Sequence, residues 1–139
     1  MPKREDINKI LIIGSGPNSI GQSGEYDLAG LQAYQALYNS GYHLVTVNSN
    51  PATVSTFQHT AKSTYIEPLT LKSLTRIIAT ESPDAILPFC GGQSALNLIY
   101  KLYHSGILEK YSIEILGFPI ESLQCTEDTY LFNQTMQQL

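Results

Sequence analysis

Short apolar segments alternate with longer amphipathic segments along this chain, and that alternation is the strongest constraint on its fold. Residues 7–13 (INKILII) are apolar without a two-residue alternation, which is typical of a parallel strand buried on both faces. Further strands are predicted from His43, with an exit turn at residues 48–51, around residues 64–66, at 84–89 and at 112–117.

Helices are predicted between these strands from apolar spacing and capping signals. The first should span about residues 25–40, and Gly41 should end it in a left-handed conformation. Thr70 should cap the second helix, which should end before Pro83. The residues expected on the buried faces are Leu28, Leu31, Ala33, Ala36 and Leu37 in the first helix and Leu71, Leu74, Ile77 and Ile78 in the second.

The second half of the chain continues the pattern. Gly91-Gly92 should open a third helix, and Thr126 should cap a last helix whose first turn carries Glu127 and Asp128. The third helix is expected to bury Leu96, Ile99, Leu102 and Tyr103. Strands separated by helices predict an α/β fold, with an open, mainly parallel, Rossmann-like sheet, right-handed crossovers and helices on both faces.

Size and composition argue for one domain and against several kinds of partner. The chain has 139 residues and a net charge of −4, and its lack of a basic cluster beyond Lys3-Arg4 argues against nucleic acid. No apolar run approaches the ~20 residues that span a membrane, and residues 1–9 lack the apolar segment of a signal peptide. Cys90 and Cys125 suggest neither a metal site nor a disulfide framework, so a cytoplasmic protein is predicted.

Residues 14–27, GSGPNSIGQSGEYD, resemble two phosphate-binding loops without matching either. A dinucleotide fingerprint requires glycine where Ser19 stands and an acidic residue after the second strand, which ends at residues 48–50 (NSN). A P-loop requires lysine where Gln22 stands, although Ser23 could still meet a magnesium ion. The sequence therefore argues against NAD, FAD and a standard P-loop.

Glycine and polar residues follow three strands at the edge where open parallel sheets bind ligands. At the start of a helix, free backbone N–H groups favour an anion or a polar carbonyl group. Two alternatives stay open, namely glycines that only let the first loop fold back and a plain turn at Asn50-Pro51. The loop residues concerned are Gly21, Gln22, Ser23, Glu25 and Asp27 in the first loop, Asn48, Asn50 and Thr53 in the second, and Gly91, Gly92 and Gln93 in the third.

Several motifs follow one another in a distinctive order: MPKREDI, GSGPNSIGQSGEYD, VNSNPATVST, YIEP, ESPDAILPFCGGQSALN and GILEKYSIEILG. In this combination the whole chain resembles the N-terminal, pre-ATP-grasp domain of the large subunit of carbamoyl phosphate synthetase. That subunit has two similar synthetic halves. GPNSIGQ and PATVST have some character of the second half, whereas MPKREDI, VNSNPAT and GILEKYSIEILG favour the first.

The resemblance divides the chain into a pre-ATP-grasp α/β domain at residues 1–125 and the start of a helix at 126–139. That helix would lead to an ATP-grasp domain that this chain lacks, and it reaches Leu139 without a stop signal.

The resemblance implies part of an ATP-dependent, glutamine-hydrolysing ligase of arginine and pyrimidine biosynthesis. In the first half of that enzyme ATP phosphorylates bicarbonate, and ammonia converts the carboxyphosphate to carbamate. ATP with Mg or Mn would bind mostly in the ATP-grasp domain of the same chain, and a glutaminase small subunit would be a partner. The fragment alone should be inactive, with no catalytic or metal-binding residue. The residues that would line the path of the intermediate are Gly21, Gln22, Ser23, Glu25, Gly91, Gly92 and Gln93.

One position departs from the family pattern. The family has an ATP-contacting arginine directly after the Glu-Asp pair of the last helix, and in CTEDTYLFNQ that position is Thr129. Threonine cannot replace a bidentate cationic contact to phosphate. Either this chain contributes to nucleotide binding differently, or the first ATP site is weakened.

Two other functions and several single residues complete the interpretation. The chain could instead be a non-catalytic scaffold that packs against another domain or subunit, or a dinucleotide-binding oxidoreductase. Cys90 has no base nearby in sequence, so a buried, inert thiol is expected. The histidines, His43, His59 and His104, have no metal-ligand spacing, and the tyrosines at 34, 38, 100 and 103 should be core or interface residues.

Overall fold

Five parallel strands form one sheet in the computed structural model, which describes residues 3–16, 23–53 and 63–137. The strand order is β3-β2-β1-β4-β5, so β1 lies at the centre with β2 on one side and β4 on the other. The strands are β1 (Lys9–Ile13), β2 (His43–Asn48), β3 (Ser63–Ile66), β4 (Ala85–Leu87) and β5 (Glu114–Ile115). The predicted parallel α/β sheet is confirmed.

Helices connect the strands and continue beyond them. They are α1 (Ser23–Asn39), α2 (Leu71–Glu81), α3 (Gly92–His104), α4 (Ile107–Lys110), α5 (Ile120–Glu127) and α6 (Thr129–Gln137), with a 3-10 turn at Phe89–Gly91 directly before α3. The short helices α4 and α5 were not predicted.

Apolar residues cover both faces of the sheet, as predicted. On one face Leu11 and Val45 pack with Ile77 of α2 and with residues of α3. On the other face Ile10 and Ile12 pack with Tyr34 of α1. Because neighbouring residues of a strand point to opposite faces, the uninterrupted apolar run of β1 supplies both clusters.

The predicted ends of α1 and α2 are confirmed. Gly41 has a φ of +82° and its N–H donates to the carbonyl of Tyr38 at 2.9 Å, which closes α1 with a left-handed residue. The Thr70 hydroxyl accepts from the N–H of Ser73 at 3.2 Å, and α2 ends before Pro83.

The predicted buried faces of three helices need correction. In α1, Leu28 is 56% exposed and Ala36 is exposed, whereas Gly30 and Tyr34 are buried. A Cβ at Gly30 would lie 3.6 Å from the Cβ of Cys90, so α1 makes its close approach through that glycine. Leu71 of α2 and Tyr103 of α3 are also exposed, whereas Leu102, next to Tyr103, is fully buried.

The predicted start of the last helix is wrong. Thr126 does not cap it, since its hydroxyl donates back to the carbonyls of Ser122 and Leu123 within α5. Asp128 caps α6 instead, and its Oδ1 accepts from the N–H of Tyr130 at 2.8 Å and of Leu131 at 3.2 Å. A carboxylate suits this position better because it also meets the positive end of the helix dipole.

A polar cluster joins strand and helix at the amino end of the sheet. Glu81, at the end of α2, accepts from the hydroxyl of Tyr65 at 2.8 Å and pairs with the ammonium of Lys9 at 3.3 Å. Burial raises the pKa of Glu81, but hydrogen bonds from Tyr65, Lys9 and Ser63 outweigh it and leave the pKa below its ordinary value. The cluster ties β1, β3 and α2 together on the edge opposite the predicted site.

Candidate functional site

The two glycine turns meet at the carboxyl edge of the sheet. Gly14 follows β1. A Cβ built on Gly91 would lie only 2.6 Å from the carbonyl oxygen of Gly14. The turns after β1 and β4 are therefore packed backbone against backbone, and Gly91 has no room for a side chain. This contact lies between β1 and β4, where the strand order reverses, and open α/β sheets bind ligands at such a point.

Tyr26 covers the second glycine turn. Gly92 has a φ of +58°, and a Cβ there would lie 3.1 Å from the ring of Tyr26. Any side chain at Gly92 would meet both backbone strain and the ring. Tyr26 was not among the predicted site residues, and the only signal for it is an aromatic residue in the glycine-rich stretch itself.

Asn48 lies beneath the loops at the end of β2. It is 2% exposed, and its side chain occupies the space beside Gly14, where a Cβ would lie 2.7 Å from Cγ of Asn48. Its Oδ1 accepts from the N–H of Gly16 at 3.2 Å and from the N–H of Asn50 at 3.1 Å. The amide predicted as a possible ligand thus makes hydrogen bonds inside the protein.

The predicted lining residues of the first loop are only partly described. Gly21 and Gln22 lie outside the described residues, and Ser23 is described only as the first residue of α1. Glu25 is exposed in the first turn of α1. Asp27 is half-buried and accepts from the hydroxyl of Ser15 at 3.2 Å, which joins α1 to the turn after β1.

Gln93 connects the glycine edge with the cleft that contains Thr129. The exposed Gln93 amide donates to Oδ1 of Asn97, one turn further along α3, at 3.2 Å. Asn97 also lines an open cleft of about 430 Å³ that includes Thr129 and Lys101. Asn97 was missed in the sequence, although its four-residue spacing from Gln93 is the expected spacing of a helical side-chain pair.

The predictions for individual cysteine and histidine residues have mixed outcomes. Cys90 is buried, as predicted, and burial raises the pKa of its thiol. His43 is exposed, His104 packs edge-on against Tyr100, and His59 lies outside the described residues. Within the described ranges, no three His, Cys, Asp or Glu side chains lie close enough together to hold a metal ion.

The tyrosines predicted as core or interface residues divide into two groups. Tyr34 is buried and stacks on Tyr38, whose exposed ring lies at a centroid distance of 6.0 Å. Tyr100 and Tyr103 are exposed on α3.

In the part of the chain that the structure describes, no helix is long and apolar enough to span a membrane.

The class of protein follows from this architecture. An open, all-parallel α/β sheet with two glycine turns in contact at its switch point defines a doubly wound α/β domain. Residues 6–125 match the family described as the carbamoyl phosphate synthase preATP-grasp domain, and the chain belongs to that family.

Curated relatives agree along the whole chain. The carbamoyl phosphate synthase large chain, N-terminal section, of Aquifex aeolicus is 52% identical over 139 residues, which is 100% of this chain and 25% of that protein. The carbamoyl phosphate synthase large chain of Thermotoga maritima is 51% identical over 99% of this chain and 12% of its own length. The chain therefore spans between about an eighth and a quarter of these relatives.

Among solved structures, glycinamide-RNase-transformylase T from Mycobacterium tuberculosis aligns with 78% of this chain and 26% of its own. The TM-score is 0.44 and the sequence identity is 17%.

Proposed function

We propose that this chain is the N-terminal domain of the first synthetic half of a carbamoyl phosphate synthetase large subunit. There it forms part of the site that makes carboxyphosphate and carbamate from bicarbonate, ATP and ammonia derived from glutamine. The observation that carries the proposal is identity of about 50% along the entire chain to carbamoyl phosphate synthase large chains, one of them an N-terminal section. The proposal includes a cytoplasmic location and a role in arginine and pyrimidine biosynthesis.

This domain would form part of the wall of the site, and other domains of the subunit would supply the positive charge that phosphoryl transfer needs. Phosphoryl transfer depends on positioning and on neutralisation of charge by metal ions and basic groups. The described part of the glycine edge offers backbone, hydroxyl, amide and carboxylate groups. The ATP-grasp domain of the same subunit would supply most contacts to ATP and to Mg or Mn, and a glutaminase small subunit would supply ammonia. This fragment alone would be inactive.

The edge suits a small polar intermediate that has to move on. Carbamate is small and anionic, and a cluster of lysine or arginine would hold it tightly. Glycine backbones leave room, while Gln22, Gln93 and Glu25 offer weaker polar contacts. In this proposal Gly21, Gln22, Ser23, Glu25, Gly91, Gly92 and Gln93 line the path of the intermediate.

Replacing Glu25 tests this lining role. In the full-length enzyme, E25Q should lower the carbamoyl phosphate formed per ATP hydrolysed by about tenfold, the factor that matches one lost hydrogen bond to a charged group. The measurement is the ratio of carbamoyl phosphate to ADP at saturating bicarbonate.

Glu109 provides the matched control. It is an exposed glutamate on α4, among the residues around β5 rather than at the glycine edge. E109Q should leave the ratio unchanged. An E25Q enzyme with the wild-type ratio would contradict the lining role.

A further inference from the structure

Asn48 connects the starts of two loops that the sequence places far apart. Gly16 is the last described residue of the loop after β1, and the loop after β2 passes through Asn50 and Thr53. The carbonyl side of the Asn48 amide accepts from Gly16 and Asn50, and its Nδ2 donates to the Thr53 hydroxyl at 3.5 Å. One fully buried side chain therefore holds both loops.

The backbone of Asn48 adds a third connection. Its carbonyl accepts from the N–H of Glu67 at 3.1 Å, which fixes the turn after β3. The N–H of Gly14 donates to the carbonyl of the preceding Val47 at 2.8 Å. The chain after β1 and the chain after β3 thus both lie against the end of β2.

The fit between Asn48 and Gly14 is close. Since the amide group fills the space beside Gly14, a longer side chain at position 48 would collide with the turn, and a shorter one would leave the N–H of Gly16 without its partner. A buried N–H group without a partner is unfavourable, so the loop would shift to satisfy it.

The first loop is held at both of its ends. Asn48 fixes Gly16 on one side, and the hydrogen bond from Ser15 to Asp27 fixes the first turns of α1 on the other. In the sequence, Gln22 and Glu25 lie between these two points. In the chain, Gly16 directly precedes the segment that carries the proposed lining residues.

We propose that Asn48 is a positioning residue that sets the first loop and the second loop together, and through them the coupling of ATP use to carbamate transfer. This inference rests on the proposed function of the glycine edge. It assigns the Asn48 amide to the support of the site, where it contacts neither substrate nor intermediate.

The test uses the full-length enzyme with two variants of one strand. Thr46 is 6% exposed, lies two residues before Asn48 on the same face of β2, and donates to the hydroxyl of Thr64 in β3 at 3.3 Å. N48A removes the bonds to both loops, whereas T46V removes a part-buried bond to β3. Two quantities are measured: carbamoyl phosphate formed per ATP, and deuterium uptake of the peptides that contain Gly16 and Asn50.

N48A should raise the amide exchange rate of both peptides by about tenfold, because the N–H groups of Gly16 and Asn50 each lose their hydrogen bond to the amide, and should lower the coupling ratio by a similar factor. T46V should change neither. Equal effects of N48A and T46V, or a normal coupling ratio in a folded N48A enzyme, would overturn the proposal.

A second variant keeps the test decisive if N48A does not fold. N48D retains acceptor oxygens for Gly16 and Asn50 but loses the donor to Thr53. The Thr53 hydroxyl can instead donate to the second carboxylate oxygen, so exchange should stay low in the peptides with Gly16 and with Asn50. Exchange in the Gly16 peptide as fast as in N48A would contradict the assignment. If the wild-type enzyme formed no carbamoyl phosphate, the proposed function would fail, while the exchange measurement would still decide the role of Asn48.

Discussion

Glycines at the sheet edge have a clear packing role in this domain. A side chain at Gly91 would strike the carbonyl of Gly14, and one at Gly92 would meet the ring of Tyr26. Residues 14–27 only resemble phosphate-binding loops, in which glycines also allow a close backbone approach. Here the close approach is between two turns of the protein, so the same residue type serves a different contact.

Asn48 shows where inference from sequence stops at the residue scale. Its position after a buried strand allowed either a ligand or a turn residue, and nothing local distinguishes the two. The structure favours a structural role, because the Asn48 amide contacts Gly16 and Thr53, and these contacts form only in the folded chain. Long-range hydrogen bonds of this kind have no periodic signature in a sequence.

Thr129 gives a prediction at the same scale. If the proposed function holds, T129R in the full-length enzyme should lower the KM for ATP in bicarbonate-dependent hydrolysis by roughly tenfold, because arginine would add a charge-assisted contact to phosphate. Thr129 is exposed and lines the cleft with Lys101 and Asn97, so the larger side chain has space.

T135R is the control for this substitution. Thr135 is an exposed threonine of the same helix that is not among the cleft residues, and its replacement adds the same charge. An equal fall in KM for both variants would show that charge alone is responsible. An unchanged KM in T129R would contradict a role for this position in nucleotide binding.

At the scale of elements, long periodic segments were predictable and short ones were not. The helices α1, α2 and α3 have the apolar spacing and caps that specify a helix. The start of α6 was predicted at Thr126 rather than at Asp128, and α5 was not predicted, because Thr126 and Asp128 are both good caps in isolation. The choice between them depends on α5, which buries Leu123 against the core.

The link between β1, β3 and α2 gives a pH-dependent prediction. The folded state lowers the pKa of Glu81, so its contribution to stability is present above the unfolded pKa of about 4.3 and is lost as pH falls through the folded value. Urea unfolding midpoints at pH 7 and at about pH 3.5 should therefore differ more for the wild type than for E81Q. Equal differences in the two proteins would contradict the stabilising role of this carboxylate.

At the scale of the whole molecule, the fold could be predicted and the completed site could not. Alternating apolar runs specify the parallel sheet, and parallel strands bring the loops that follow them to one edge. The proposed path of the intermediate would also involve segments that the relatives have outside this domain, since those relatives are four to eight times its length. No pattern within these 139 residues can specify contacts to those segments.

The most direct test of the proposed function is the activity of the full-length enzyme that carries this domain. Purified enzyme is supplied with ATP, Mg²⁺ and bicarbonate, with and without ammonia. Bicarbonate alone should stimulate ATP hydrolysis, and added ammonia should yield carbamoyl phosphate. An equal rate of ATP hydrolysis with and without bicarbonate, with no carbamoyl phosphate formed, would contradict the assignment of this domain to carbamoyl phosphate synthesis.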